Sequence, residues 1–226
     1  MMHTFLANNR DELMSRCKAK VAKRPHRDAT EIQLKNGIPL FLEQLRRTLQ
    51  AEEADEAIES LKISGASGGD ALRLSEVGVS AAAHGKQLLQ LGFSINQVVH
   101  DYGDLCQAIT ELALERDAPF AVAEFRTLNR CLDNAIADAV TKFSEERDIT
   151  NLAVQHAAED ERVQLLAQEL GELVSTAMLA RAAIEEGSLS LRGATGAILA
   201  RSLTRLKEAI DRSLDDIHLK REQLRR

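Results

Sequence analysis

The chain has 226 residues, 44% of them hydrophobic and only three of them proline, and this composition favours helices packed into one or two domains. Its net charge of −6 and its lack of tryptophan argue against nucleic-acid binding, which needs basic and stacking surfaces. No apolar run approaches the about 20 residues that cross a bilayer, and the N-terminus has no signal-peptide core, so we expect a cytoplasmic protein without a membrane partner. Three scattered cysteines without CxxC spacing indicate reduced thiols. We also expect that the protein has no cofactor.

The first two predicted helices occupy residues 4–24 and 31–52. The first ends before a proline, because proline disfavours the helical conformation of the residue that precedes it. Within the second, Gly37 and Pro39 predict a kink. Residues 50–70 are acidic and then rich in glycine and serine, which predicts a mobile loop.

The third and fourth predicted helices, residues 71–91 and 95–116, carry the candidate ligand-sensing side chains. Ser94 and Gln97 have the spacing of a capping box and mark the start of the fourth helix. The candidates are polar or titratable residues that such a site would use: His84, His100, Tyr102, Asp104 and Cys106. His100 and Asp104 lie four residues apart on one helical face, as two metal ligands could. No second pair of candidate ligands has the spacing of a zinc site. We therefore expect a hydrogen-bonded packing cluster and no metal site.

A long helix is predicted to begin near residue 120. Its first apolar stripe has three- and four-residue gaps and consists of Phe125, Leu128, Leu132, Ile136, Ala139 and Phe143. Six residues then separate the last of these from the next stripe, which consists of Ile149, Leu152, His156, Glu159 and Val163. Such a skip in phase changes the local winding of a coiled coil. The polar residues His156 and Glu159 occupy seam positions, where polar side chains fix the register at a cost in stability.

Residues 161–217 predict an antiparallel helical hairpin. Gly187 lies where one helix would stop, and Gly193 and Gly196 lie where the next would begin. Each helix has more apolar surface than one hairpin can bury, so we predict a homodimer that forms a four-helix bundle. The predicted dimer seam is Val163, Leu166, Leu170, Leu173, Ala177, Leu203, Leu206 and Ile210.

The segments LAQELGELVSTAML, GATGAILARSL and LKEAIDRSLDDI resemble the dimerisation and phosphotransfer hairpin of soluble bacterial sensor histidine kinases. In that family the first motif reads like HELRNLLNTA, and its histidine takes a phosphoryl group from ATP. Gln168 stands at the histidine position, Glu169 and Leu170 are kept, and Gly171 and Glu172 replace the usual arginine and asparagine. Because the lone pair of a carboxamide nitrogen is delocalised, Gln168 cannot form the N–P bond, and we expect no catalytic residue here.

Most of the N-terminal region resembles the all-helical N-terminal domain of stressosome RsbR-type co-antagonists. The segments that carry this resemblance are FLANNRDELMSRCKAKVAKRP, NGIPLFLEQLRRTL, LLQLGFSINQVVHDYGDLCQAITELA and FRTLNRCLDNAIADAV. Some relatives of that domain have a globin-like fold without haem, and the resemblance implies a signal-input or interaction module. The predicted fold is therefore all-α, with a helical sensory domain (residues 1–147) and a connecting helix with the dimerisation hairpin (residues 148–226).

A working kinase of this family needs an ATP-binding domain after the hairpin, but the chain contains neither its asparagine box nor its D-x-G-x-G motif. We therefore expect a shortened kinase relative or the N-terminal part of a longer product. The leading hypothesis is a cytosolic signalling protein that senses and dimerises without catalysis, with a related histidine kinase or a response regulator as candidate partner.

Two alternatives stay open. One is a component of a two-component kinase whose ATP-binding domain comes from another chain, and His156 is then a second candidate phosphoacceptor. The other is a globin-like ligand-binding sensor with His84 or His100 as the haem ligand.

Overall fold

The computed structural model describes residues 1–23, 37–69, 73–186 and 193–223, apart from the side chains of residues 216 and 218–223. Within these ranges every regular element is an α-helix, so the predicted all-α class is confirmed. The helices are α1 (Met2–Asn8), α2 (Arg10–Ala22), α3 (Ile38–Glu53), α4 (Ala57–Ser64), α5 (Glu76–Gln90), α6 (Ile95–Glu115), α7 (Val122–Glu185) and α8 (Ala194–Gln223).

The chain divides into two compact units, Met1–Thr150 and Asn151–Arg226, and α7 contributes residues to both. The sequence placed this division after residue 147. The long helix predicted from near residue 120 is observed as the single 64-residue helix α7. The six-residue gap after Phe143 therefore changes the apolar phase without interrupting the helix.

The core of the first unit lies around α3, which packs against α1, α4 and α5, while α2 packs against α6. The sequence of α3 explains its central place, because its apolar residues recur at short helical gaps and form one buried face. That face consists of Ile38, Phe41, Leu42, Leu45 and Leu49. The early part of α7 adds Leu128, Leu132, Ala135, Ala139 and Phe143 to the same core. Each fully buried large aliphatic side chain contributes about 1.5–3 kcal/mol to folding.

Helices α5 and α7 approach each other closely at Gly85. A Cβ atom on Gly85 would lie 2.1 Å from the carbonyl oxygen of Ala139 on α7. About two helical turns earlier on α5, a Cβ atom on Gly78 would lie 2.5 Å from a carboxylate oxygen of Asp138. Gly85 thus allows α5 to lie almost directly against the α7 backbone, and Gly78 leaves room for the Asp138 side chain.

The single helix predicted over residues 4–24 is instead two helices that meet at Asn9. The Nδ2 atom of Asn9 donates a hydrogen bond to the carbonyl oxygen of Phe5 at 2.8 Å, and the Asn9 backbone leaves the helical region with φ −118° and ψ 15°. A short polar side chain here competes with the helical ladder for the backbone, and hydrophobic periodicity does not reveal that competition. Residue 24 lies outside the described residues.

Helix α3 begins at the place where Gly37 and Pro39 predict a kink. Gly37 is the N-cap of α3, and Pro39 lies in its first turn. A proline in the first turn leaves no hydrogen bond unmade, since the first N–H groups of a helix have no intrahelical acceptor. The earlier part of the predicted helix, residues 31–36, lies outside the described residues.

The loop prediction for residues 50–70 is wrong where α4 forms. This short helix buries Ser60, Ile63 and Ser64. Asn134 on α7 holds its end by donating from Nδ2 to the carbonyl oxygens of Ser64, at 2.7 Å, and Ala66, at 3.0 Å. Three glycines with positive φ follow, at Gly65, Gly68 and Gly69. The glycine-rich part is therefore a turn, whereas the acidic part before it is largely helical.

The third predicted helix starts later than residue 71, and the fourth matches its prediction closely. Helix α5 starts at Glu76, after Ser75 accepts the Gly78 N–H at 3.0 Å. At the start of α6, the Ser94 hydroxyl accepts the Gln97 N–H at 3.3 Å, and the Gln97 side chain accepts the Ser94 N–H at 2.8 Å. The predicted capping box is thus confirmed.

Candidate functional site

In the second unit, α8 runs antiparallel to the C-terminal part of α7. Ile217, near the end of α8, lines a groove together with Val163 of α7. Leu199, near the start of α8, lines a second groove together with Ala177, which lies four turns further along α7. The connection around Gly187 lies outside the described residues.

Gln168, which the sequence resemblance aligns with the kinase histidine, is exposed on α7. Its Nε2 atom donates a hydrogen bond to Oε1 of Glu172 at 3.1 Å, one turn further along the helix. The neighbouring Glu169 lies 3.4 Å from Arg212 of α8, so its carboxylate pairs with a guanidinium rather than with an imidazole. These side chains form an exposed polar patch without a nucleophilic nitrogen at its centre.

Gly171 does not interrupt α7, despite the low helix propensity of glycine. No atom lies within 4 Å of the position that a Cβ atom on Gly171 would occupy. The hydroxyl of Thr176 donates to the Glu172 carbonyl oxygen at 2.8 Å, which is a local bond on the same helix. The absence of a side chain at Gly171 is therefore not required by any contact among the described residues.

Two open grooves run along the hairpin. The charged groove, of about 440 Å³, is lined mainly by Glu159, Arg162, Val163, Leu166, Glu169 and Arg212. The apolar groove, of about 350 Å³, is lined mainly by Leu173, Val174, Ala177, Met178, Leu203 and Leu206. An exposed apolar groove of this kind is typical of a surface that binds another protein.

The predicted seam residues divide into two groups in the structure. Those that are half-buried are Leu166, Leu170, Leu173, Ala177 and Leu206. Those that are largely exposed are Val163, at 60%, Leu203, at 53%, and Ile210, at 41%. Among the described side chains of this unit, the fully buried ones are Ala180, Ser202 and Ala209. The hairpin on its own therefore has almost no core, and part of the predicted seam remains open to solvent.

The candidate ligand-sensing residues of the first unit differ in burial. His84 is buried, and its ring meets the Tyr102 ring edge-on, with centroids 6.1 Å apart. Asp104 is also buried, whereas Cys106 is half-buried and His100 is exposed. Burial and the nearby Asp101 carboxylate raise the pKa of Tyr102, so its hydroxyl stays protonated. The arrangement places a histidine and a tyrosine together in the core.

Gly37 is a neighbour of His84 that the sequence did not single out. A Cβ atom on Gly37 would lie 2.6 Å from Cε1 of the imidazole, so the backbone at the start of α3 touches the ring directly. A glycine two residues before a proline was the available signal, but it predicted backbone geometry and not contact with a histidine. Asp138 of α7 was also missed, and burial raises the pKa of its carboxyl group.

A polar network that joins α3, α4 and α7 was missed as well. The Glu52 carboxylate accepts hydrogen bonds from Thr127, from Arg130 and from Ser60, the last at 2.9 Å. Arg130 also donates to the Ser60 hydroxyl at 3.1 Å. Burial opposes ionisation of Glu52, but these three hydrogen bonds outweigh it and lower the pKa of the carboxyl group. The network holds three helices together and has no feature of a reactive site.

In the part of the chain that the structure describes, no group of three or more histidine, cysteine, aspartate or glutamate side chains is placed to hold a metal ion. In the same part, no helix combines the length and the apolar character that a bilayer crossing requires.

No family model, curated protein or solved structure matches the chain. The assignment of a function therefore depends on the hairpin and on the residues described above.

Proposed function

We propose that the protein is a cytoplasmic signal-transduction protein related to sensor histidine kinases that works without transferring a phosphoryl group. Its first unit would receive a signal or bind a partner, and its hairpin would dimerise. The observation that carries this proposal is the exposed carboxamide of Gln168 at the place where the resemblance requires an imidazole.

The chemistry around Gln168 supports a non-catalytic role. The carboxamide nitrogen has no available lone pair, so it is not a nucleophile at neutral pH. Glu169, which in the family would act on the histidine, is paired with Arg212. The Glu172 carboxylate, 3.1 Å from the Gln168 nitrogen, would repel an incoming phosphate.

Homodimerisation through the hairpin is supported by the apolar surface that a single copy leaves open. Val163 on α7 and Leu203 and Ile210 on α8 expose between 41% and 60% of their surface. The exposed Met178, at 61%, lines the apolar groove beside Leu203. A second hairpin would cover these side chains and supply the core that one hairpin lacks. A related histidine kinase offers the same type of hairpin and is therefore a candidate partner, as is a response regulator that binds such a hairpin.

The proposal is tested by measuring mass and phosphorylation on the same protein. Light scattering across micromolar concentrations should give a dimer, and incubation with radiolabelled ATP should leave the protein unlabelled. Leu203→Glu should weaken the dimer, because it places a charge in the apolar groove. Leu114→Glu is the matched control, since Leu114 is an exposed leucine of the first unit, at 84%.

A wild-type protein that stays monomeric would overturn the dimer. Label on the wild-type protein would instead favour the kinase-component alternative and would direct attention to His156.

A further inference from the structure

An open cavity of about 590 Å³ in the first unit is lined by residues of α2, α3 and α5. Arg10 is the first residue of α2, and Pro39, Leu40 and Glu43 come from the beginning of α3. The residues of α5 have the spacing of a single helical face and are Ser80, Ala83, His84 and Gln87. A cavity of this volume is within the usual range for small-molecule sites.

Two side chains of opposite charge line this cavity without pairing with each other. Among the described residues, none forms an ion pair with Arg10. Glu43 is held by Arg46, which donates to its two carboxylate oxygens at 2.5 and 2.8 Å. These hydrogen bonds lower the pKa of Glu43, and the charge of Arg10 adds to the effect, so the carboxylate is ionised at neutral pH. An ionised carboxylate can accept more hydrogen bonds than these two.

The rest of the wall combines a neutral acceptor with apolar surface. The Ser80 hydroxyl donates its hydrogen to Oε1 of Gln44 at 2.9 Å, so toward a ligand its oxygen acts as an acceptor. The apolar part of the wall consists of Pro39, Leu40 and Ala83, and Leu40 is 45% exposed. The cavity thus offers one cationic donor, two kinds of acceptor and an apolar surface.

We propose that this cavity binds a free α-amino acid with a large apolar side chain. The carboxylate of the amino acid pairs with Arg10, its ammonium group donates to Glu43 and Ser80, and its side chain covers Leu40. An amino acid has both charges on one carbon atom, so it can bridge two oppositely charged side chains that do not meet. The inference deepens the proposed function, because it names a ligand class for the unit that would receive a signal.

The two charges argue against a ligand with a charge of one sign. An organic anion that pairs with Arg10 would bring its negative charge close to the Glu43 carboxylate. An amine that pairs with Glu43 would bring its positive charge close to Arg10 in the same way. A zwitterion satisfies both groups and leaves neither repulsion uncompensated.

Three small molecules of similar shape test the proposal on the wild-type protein. They are phenylalanine, 3-phenylpropionate, which lacks the ammonium group, and 2-phenylethylamine, which lacks the carboxylate. Isothermal titration calorimetry should show that phenylalanine binds about tenfold or more tightly than either analogue. The emission of Tyr102 gives a second readout, since its ring lies edge-on to the His84 ring with centroids 6.1 Å apart.

Two variants should change this preference in different ways. Arg10→Gln should weaken phenylalanine binding about tenfold or more and remove its advantage over 2-phenylethylamine. Glu43→Gln should weaken it similarly and remove the advantage over 3-phenylpropionate. Arg126→Gln is the matched control, because Arg126 is an exposed arginine of α7 that does not line the cavity, and it should leave binding unchanged.

Three results would overturn the inference. The first is no binding of phenylalanine up to about 10 mM. The second is equal binding of phenylalanine and either analogue by the wild-type protein, a comparison that does not depend on the folding of any variant. The third is phenylalanine binding that neither Arg10→Gln nor Glu43→Gln weakens, since the amino acid would then bind elsewhere.

The measurements of mass and phosphorylation separate this inference from the proposed function. A protein that is dimeric and remains unlabelled by ATP, but that does not bind phenylalanine, overturns the amino-acid site alone. A protein that binds phenylalanine as proposed, but that is monomeric or becomes labelled, keeps the site and overturns the proposed function.

Discussion

Arg130 of α7 and Glu52 of α3 form an ion pair across 78 residues of sequence, and the Ser60 hydroxyl of α4 donates a hydrogen bond to the same carboxylate. The Arg130 side chain is only 14% exposed and that of Glu52 is 31% exposed, so water screens the pair weakly. Three helices of the first unit thus share one charged contact at the edge of the core.

Glu52→Gln should therefore lower the free energy of unfolding at neutral pH by about 1–3 kcal/mol, because Arg130 loses its charged partner in a mostly buried place. Urea unfolding of the variant and the wild type measures this difference. Asp133→Asn, which changes an exposed carboxylate of α7, is the control and should have almost no effect.

The same pair predicts a pH dependence. The pKa of Glu52 is lowered in the folded protein from the usual value of 4.5, so the unfolded chain binds the proton more readily. The stabilisation is fully present above about pH 4.5 and is lost as the pH falls through the lower, folded-state pKa. The difference between wild type and Glu52→Gln should accordingly shrink in acid, and a difference that grows in acid would contradict the assignment.

Gly85→Ala should destabilise the first unit by about 1–3 kcal/mol, because the new methyl group would overlap the carbonyl oxygen of Ala139 and force α5 away from α7. Gly103→Ala is a matched control on α6, where nothing lies within 4 Å of the new methyl group. That substitution should stabilise the protein by about 0.5–1 kcal/mol, since alanine loses less backbone entropy than glycine in a helix. Thermal unfolding followed by circular dichroism compares the two variants, and a Gly85→Ala variant as stable as Gly103→Ala would show that α5 and α7 do not approach this closely.

Under the function proposed above, Gln168→His should not label itself from ATP, but it should accept a phosphoryl group weakly from the ATP-binding domain of a sensor histidine kinase supplied in trans. Adding Glu172→Asn should strengthen the labelling, because the carboxylate one turn from the acceptor repels phosphate. Radiolabelled ATP with a catalytic amount of the partner kinase measures both reactions. Equal labelling of wild type and Gln168→His would show that position 168 is not the acceptor position.

The three cysteines should differ in their reaction with iodoacetamide at pH 8. Burial raises the pKa of Cys17 and of Cys131 to about 12, so almost none of either thiol is in the reactive thiolate form. Burial also raises the pKa of Cys106, but this residue is only half-buried and is reachable from solvent. Mass spectrometry of the native protein should show modification at Cys106 first, and in denaturant all three should react alike. Early modification of Cys17 without denaturant would contradict its burial.

Local features of this fold could be predicted from the sequence, and features that depend on distant contacts could not. The capping box of Ser94 and Gln97 was predicted correctly because both residues belong to the same helical turn. The break at Asn9 was missed because the feature that marks it, a side-chain hydrogen bond to the carbonyl oxygen of Phe5, has no periodic signature. Helix α4 was missed because it lies between an acidic stretch and a glycine-rich one, and because its support comes from Asn134, about 70 residues away.

The same distinction applies to the candidate site. The exposure of Gln168 follows from the apolar spacing around it, since that spacing puts residue 168 off the seam. The pairing of Glu169 with Arg212 depends on how far α8 is shifted along α7. The sequence predicts that these two helices are antiparallel, but it does not predict that shift. The neighbours of His84 come from α3 and α6, so the contact of its ring with Gly37 and Tyr102 required the fold.

Tyr102 is the only tyrosine of a chain that has no tryptophan. Its side chain is therefore an intrinsic fluorophore at one known position. Its ring is 7% exposed and lies edge-on to both Phe41 and His84. Emission excited near the tyrosine absorption band thus reports on one place in the first unit and on nothing in the hairpin. Binding of a partner or small molecule near α3, α5 or α6 can be followed through this signal without attaching a dye. The same signal can be recorded while the proposed dimerisation is followed separately by mass.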